Sequence, residues 1–243
     1  MRTVIENTYE EISRKLAGFI ISKVKEKPNS VLCFAGGHTP LKTYQYLIEA
    51  NKEGSVDFKQ AEFLLLDEWV GIGRETFGSC IQTLDDELFN HLDITYDKQV
   101  HYFDGTSSNI ENEVVRMNDL INDLGGIDIS LLGIGMNGHL GFNEPGINEF
   151  LDVALVPLDP VTAEVGKKYF KTNVDTQFGI TIGLKKLMES KYLILMANGA
   201  KKADIVYETL NGPITNQVPS SIARKHGNAF LYLDKDAASK LGR

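Results

Sequence analysis

The sequence predicts an α/β protein, with a single-domain, modified Rossmann-like fold built on a mostly parallel sheet and helices on both faces. Two observations carry this. Short apolar, β-branched runs alternate along the chain with amphipathic stretches of helical period, the pattern of strands joined by crossover helices. No internal repeat, low-complexity tract or Pro/Ser-rich linker interrupts the alternation. At 243 residues, 42% of them hydrophobic, the chain can bury one sizeable core, so residues 1–243 read as one domain.

The elements follow in order. "YEEISRKLAGFIISKV" places Tyr9, Ile12, Leu16, Phe19, Ile20 and Val24 on one helical face. Asn29 and Ser30 lead into the strand "SVLCFA", then the loop "GGHTP" and the helix "LKTYQYLIEA". "AEFLLLD" reads as a second buried strand, "SCIQTLDDELFNHL" as a helix and "VHYFDG" as a third strand. Ser108 and Glu111 have the spacing of a capping box opening "NIENEVVRMNDLINDL". Gly125 and Gly126 form the turn into a fourth strand, "DISLLGIG". The strands "LDVALVPL", "FGITIGL" and "YLILMANG" come next, then a helix from about Lys201 and a last strand, "AFLYLD".

The bulk properties exclude several classes. A net charge of −8 without a basic block argues against nucleic acid and anionic membrane as partners. Cys33 and Cys80 are the two cysteines and form no C-x-x-C, so neither a disulfide framework nor a structural zinc site is indicated. Acidic residues stand in "MRTVIENTYEEI" where a signal peptide needs an apolar run, and no apolar stretch reaches membrane-spanning length. A cytoplasmic protein is expected.

In an open parallel sheet, ligands bind beyond the carboxyl ends of the strands at the topological switch point. Four loops qualify: "GGHTP", "DEWVG", "GMNGHLGFNEPG" and "NGAKKA". The third contains a literal G-x-G-x-x-G made by Gly133, Gly135 and Gly138, the spacing of a dinucleotide turn. Such a turn needs its last glycine to open a long helix, whereas His139, Gly141 and Pro145 follow here. The loop instead exposes Asn137, His139 and Glu144. A histidine near neutrality with a carboxylate beside it is a natural proton shuttle, and the glycines allow a ligand close to the backbone.

Asp67 and Glu68 follow the second strand directly. Side chains alternate along extended chain, so one of the two faces the crevice. A carboxylate held beside Trp69 would gain basicity through desolvation. "AGGHTP" fits either an anion cradle, with Thr39 as cap and Pro40 at the first helical position, or an ordinary glycine-rich turn. Lys201 and Lys202 at a helix start are unfavourable to the helix dipole, and either a bound anion or solvent would accommodate them. His38, His139, Asp67 and Glu144 have no metal-ligand spacing, and no G-x-S-x-G nucleophile elbow occurs. No cofactor is called for.

"GGHTP", "LDEWVG", "LLGIGMNGHLGFNEPG" and "ANGAKKA", in this order across most of the chain, resemble the glucosamine-6-phosphate deaminase superfamily. Within it, "LDEW" followed by "FGSC", "NGHLGFNEPG" and "FGITIGLKKLMES" looks most similar to galactosamine-6-phosphate deaminase/isomerase. The resemblance implies a phosphosugar substrate, with the galactosamine form preferred over glucosamine, and isomerisation with loss of ammonia. It implies that Asp67 moves a proton between C2 and C1, and that His139 opens the sugar ring, assisted by Glu144 and Asn137. Gly36, Gly37, His38, Thr39 and Lys202 would hold the 6-phosphate.

Three departures stand out. Asn137 occupies a position that is aspartate in some glucosamine-6-phosphate deaminases. The family arginine that helps bind phosphate falls at or near Lys168, which keeps the charge but loses the bidentate fork. His38 replaces a small residue. The related 6-phosphogluconolactonases would carry an arginine at Trp69 and lack "NEPG", and a sugar-phosphate-sensing module would lack part of the Asp67, His139 and Glu144 set. A chain ending soon after its last strand points to a monomer or small homo-oligomer.

Overall fold

The period-2 apolar pattern of the strands divides their side chains between two cores. Leu32 and Phe34 face one, Val31 and Cys33 the other; Phe63 and Leu65 are likewise separated from Leu64. A sheet buried on both faces needs helices on both, and the chain supplies them. A computed structural model describes residues 1–171, 174 and 176–242. Along it run β1 (Arg2–Glu6), α1 (Tyr9–Glu26), β2 (Val31–Phe34), α2 (Leu41–Lys52), β3 (Glu62–Leu65), β4 (Asp67–Trp69) and α3 (Cys80–Glu87). There follow α4 (Tyr96–Gln99), β5 (Val100–His101), α5 (Ile110–Asp123), β6 (Ile129–Gly133), β7 (Val153–Pro157), α6 (Pro160–Gly166) and β8 (Phe178–Ile182). The chain closes with α7 (Leu184–Glu189), β9 (Tyr192–Ala197), α8 (Ala203–Asn211), α9 (Pro219–Ile222) and β10 (Ala229–Asp234).

Seven strands form a sheet in the order β1-β10-β9-β6-β2-β3-β5, and every pairing in it is parallel. Helices α1, α2 and α3 cover one face through Ile12, Leu16, Ile20, Tyr44, Leu47, Ile81 and Leu84. Helices α5, α7 and α8 cover the other through Met117, Ile121, Leu184, Leu187, Ile205 and Val206. Each such buried side chain stabilises the fold by roughly 1.5–3 kcal/mol. The mostly parallel, helix-covered fold class is therefore the one expected.

Several local expectations change. "AEFLLLD" is two strands, because the chain changes sheet at Leu66. The Leu66 N–H still donates to Phe34 O at 3.0 Å, but Leu66 O accepts from Ile182 N at 2.9 Å. From there β4 runs antiparallel to β8, which pairs antiparallel with β7. "LDVALVPL" and "FGITIGL" thus build a separate three-stranded sheet. β1 has no counterpart in the sequence reading; it joins the edge beside β10 with exposed or half-buried side chains, so no core pattern marks it. The α5 cap lies one residue later than expected: Asn109 Oδ1 accepts from Asn112 N, and Ser108 does not cap. Gly125 and Gly126 do form the turn before β6, both at positive φ.

The chain adds β3 and β5 on one side of β2, then β6, β9 and β10 on the other. The switch point lies between β2 and β6. The loops after β2, β6 and β9 and the strand β4 converge there.

Candidate active site

A cavity of about 320 Å³ opens at this switch point, lined from all four expected loops and from α6. Gly36, Gly37, His38 and Thr39 enter from the β2 loop, Asp67 from β4, Asn137 and His139 from the β6 loop, and Lys202 from the turn after β9. Glu144 stands directly behind His139. Of the residues expected to bind or act on substrate, Lys168 lies apart: it is exposed in the turn after α6 and does not line the cavity, although Tyr169 beside it does.

Asp67 and Glu68 point apart, as extended backbone requires. Glu68 is fully buried and accepts from the backbone N–H groups of Trp69, Cys80 and Ile81 at 2.9, 3.1 and 3.0 Å. The last two open α3, so Glu68 anchors that helix terminus, where a carboxylate is electrostatically favoured. Asp67 faces the cavity at 7% exposure. Burial pushes its carboxyl up to about 7, with the nearby His139 pulling the other way. Trp69 packs edge-on against Phe142 and Phe170, making this side of the cavity apolar. A carboxyl poised near neutrality suits a proton acceptor.

The β6 loop holds a second cluster of polar and titratable side chains. Asn137 Oδ1 accepts from His139 N at 3.2 Å, and Asn137 Nδ2 donates to Glu144 Oε2 at 2.9 Å. The same Glu144 oxygen lies 3.3 Å from His139 Nδ1. Burial raises the Glu144 carboxyl, but His139, Thr162 and Asn137 outweigh it and hold the group below its ordinary range. Glu144 is thus a fixed negative charge behind the imidazole.

The three glycines of the fingerprint each have a steric task. A Cβ at Gly133 would lie 3.3 Å from Thr39 Oγ1, and one at Gly135 only 2.3 Å from Cδ2 and Nε2 of His139. Gly138 adopts φ +87°, outside the range that suits other residues. The spacing serves side-chain clearance rather than a nucleotide turn.

Thr39 does not cap α2, contrary to expectation. Pro40 is the cap residue and makes no side-chain bond, while Tyr9 Oη donates to Thr39 O at 2.8 Å and steadies the loop. The Thr39 hydroxyl packs instead by Gly133 in the cavity wall. Lys202 Nζ donates to Ile134 O, 2.6 Å away, and lines the same cavity as Thr39. Burial lowers its ammonium to about 8. Asp234 fixes this turn by accepting from Gly199 N. His38 is exposed and stacks on Tyr169, with ring centroids 5.0 Å apart.

Sequence reasoning missed Thr162, whose Oγ1 lies 3.0 Å from His139 Nδ1, and Cys80, which lines the cavity next to Gly36. Thr162 belongs to no motif with a spacing that could have flagged it, and Cys80, although it closes the "FGSC" run, was given no role there. Among the described residues, no three His, Cys, Asp or Glu side chains converge as a metal site, and no helix is long and apolar enough to cross a membrane.

The whole chain is similar to known proteins. Residues 5–231 match the family model for glucosamine-6-phosphate isomerases/6-phosphogluconolactonase. A glucosamine-6-phosphate deaminase of Clostridium botulinum is 40% identical over 99% of both chains, and one of Clostridium novyi is 39% identical over 99% of this chain and all of its own. Among solved structures, a monomeric glucosamine-6-phosphate deaminase superposes with a TM-score of 0.94 at 32% identity, covering 98% of this chain and 99% of its own. The 6-phosphogluconolactonase of Trypanosoma brucei shares the fold, with a TM-score of 0.79 at 18% identity over 99% and 98% of the two chains.

Proposed function

The chain belongs to the glucosamine-6-phosphate isomerase/6-phosphogluconolactonase family, and within it we propose that it is a glucosamine-6-phosphate deaminase. The preference for the galactosamine form expected from sequence gives way to this alternative, because the relatives that match over nearly their whole length carry the glucosamine name. The lactonases match at identities that bear on the fold alone.

One observation carries the reading: Asp67, Asn137 and His139, with Glu144 behind the imidazole, share a cavity with the half-buried Lys202. His139, with Glu144 behind it, moves the proton that opens the sugar ring. Asp67 takes the C2 proton and returns one to C1, converting the 2-amino aldose to a ketose imine. Water adds to that imine and ammonia leaves, giving a ketohexose 6-phosphate. Each placed proton-transfer group contributes about a hundred- to ten-thousandfold. Thr39, Lys202 and the backbone of Gly36 and Gly37 hold the phosphate, whose binding energy orients C1 and C2. His38 borders that subsite from the same loop. Residues 1–243 act as one domain and, like the monomeric relative, as a monomer.

The test is direct. Purified protein is given glucosamine-6-phosphate, galactosamine-6-phosphate and 6-phosphogluconolactone in parallel. Ammonia and ketose phosphate should form fastest from the first. Faster release from the galactosamine form would reverse the substrate assignment, and lactone hydrolysis without ammonia would overturn the reaction class.

A further inference from the structure

We infer that Thr162 is a positioning residue for His139: its hydroxyl holds the Nδ1 side of the imidazole, so that Nε2 is the nitrogen presented to the cavity. The role of His139 rests on the function proposed above; the geometry of the pair does not.

Two oxygens approach Nδ1, Thr162 Oγ1 at 3.0 Å and Glu144 Oε2 at 3.3 Å. An ionised carboxylate only accepts, and a threonine hydroxyl accepts as well as donates. A bare Nδ1 would set its lone pair against the carboxylate, whereas Nδ1–H satisfies both oxygens. The ring proton therefore belongs on Nδ1, and Nε2, which has no hydrogen-bond partner among the described residues, carries the free lone pair.

The helix carrying Thr162 is docked at two points one turn apart. Asp159 caps α6 by accepting from Val161 N at 2.8 Å, which fixes the first turn. Thr162 is buried on the inward face, while its neighbour Val161 is exposed. Four residues on, Gly166 meets Trp69 so closely that a Cβ would lie 2.2 Å from Cη2. Asn137 and Glu144 belong to the same loop as His139, whereas Thr162 reaches it from a separate element. The ring orientation is thereby tied to the seating of α6.

The charge around His139 is supplied by Asp67 and Glu144; Thr162 adds direction without charge. Its removal should affect turnover rather than phosphate capture. Thr162→Val keeps the shape and removes the hydroxyl, and Thr162→Ser keeps the hydroxyl. We expect the valine variant to lose about tenfold or more in kcat with KM changed less than twofold, and the serine variant to recover most of that loss. Independently of turnover, ¹⁵N spectra of the five histidines, with the His139 signal identified by its absence in His139→Gln, should show Nδ1–H in the wild type. They should show a mixture of tautomers in Thr162→Val. Unchanged kcat in the valine variant, failure of serine to restore it, or the same single tautomer in both proteins would overturn the assignment. A wild type that releases no ammonia would count against the proposed reaction, while the spectra would still decide the role of Thr162.

Discussion

Gly135 forms the seat of His139: the imidazole lies where a side chain at position 135 would be, with Cδ2 and Nε2 both 2.3 Å from an added Cβ. The backbone locks the pair further, since Gly135 N donates to His139 O at 2.9 Å. The ring cannot move aside without breaking the contacts of Nδ1 with Glu144 and Thr162.

Gly135→Ala should therefore damage catalysis more than folding. Overpacking of this kind costs about 1–3 kcal/mol, which a domain can absorb. A displaced proton shuttle, however, should lower kcat by about a hundredfold or more. Ammonia release and a thermal melt on the same preparation separate the two effects. Near-normal turnover would show that the ring needs no such seat.

Asp67 predicts both an activity profile and a stability profile. Its folded-state carboxyl sits at about 7, against an ordinary 3.8. As a base it must be ionised, so kcat/KM should fall about tenfold per pH unit below 7 and level off between about 7 and 8, above which Lys202 begins to lose its charge. For stability the sign is opposite to that of a salt-bridged aspartate. The folded protein keeps the proton to higher pH than the unfolded chain, so stability is lost as pH rises from about 4 to about 7. The cost at pH 8 is at most about 4 kcal/mol. Asp67→Asn should abolish turnover yet raise stability to denaturant more at pH 8 than at pH 5. An equal effect at both pH values would contradict the buried, raised carboxyl.

The fold class was legible because strands buried on both faces write their pattern openly, as in "VLCF" and "YLILMA". The clustering of Asn137, His139 and Glu144 was legible because they crowd into eight residues after a strand. What stayed hidden depends on long-range placement. The change of sheet at Leu66 is decided by Ile182, 116 positions later, and Thr162 reaches His139 from 23 residues away. Thr39 carried a cap signal that the structure does not use, because cap and cavity wall compete for one hydroxyl.

Lys168 tests the limit of motif transfer. It aligns with a phosphate-binding arginine by resemblance, but stands exposed outside the cavity. Lys168→Ala should leave KM for the phosphosugar within about twofold. A rise of tenfold would mean that α6 and its following turn close further over bound substrate than this structure shows. Steady-state kinetics with the alanine variant, read beside the wild type, decides between the two.

Lys202 makes the opposite prediction. Burial holds its ammonium at about 8, so at that pH about half of the free protein lacks the charge. A phosphate dianion in the cavity restores the charged form by direct attraction. Phosphate monoesters are already dianionic at pH 8, since their second pKa is about 6, so the ligand releases no proton of its own. Binding of a hexitol 6-phosphate at pH 8 should then take up about half a proton, read as a buffer-dependent heat in titration calorimetry. Affinity should weaken as pH rises above 8, because an increasing share of the protein must be protonated before it can bind. Lys202→Met should remove the proton uptake and raise KM at least tenfold with a smaller change in kcat, the pattern of a group that binds substrate and transition state alike. Undiminished proton uptake in that variant would assign the titration to another group and leave Lys202 a merely structural donor to Ile134 O.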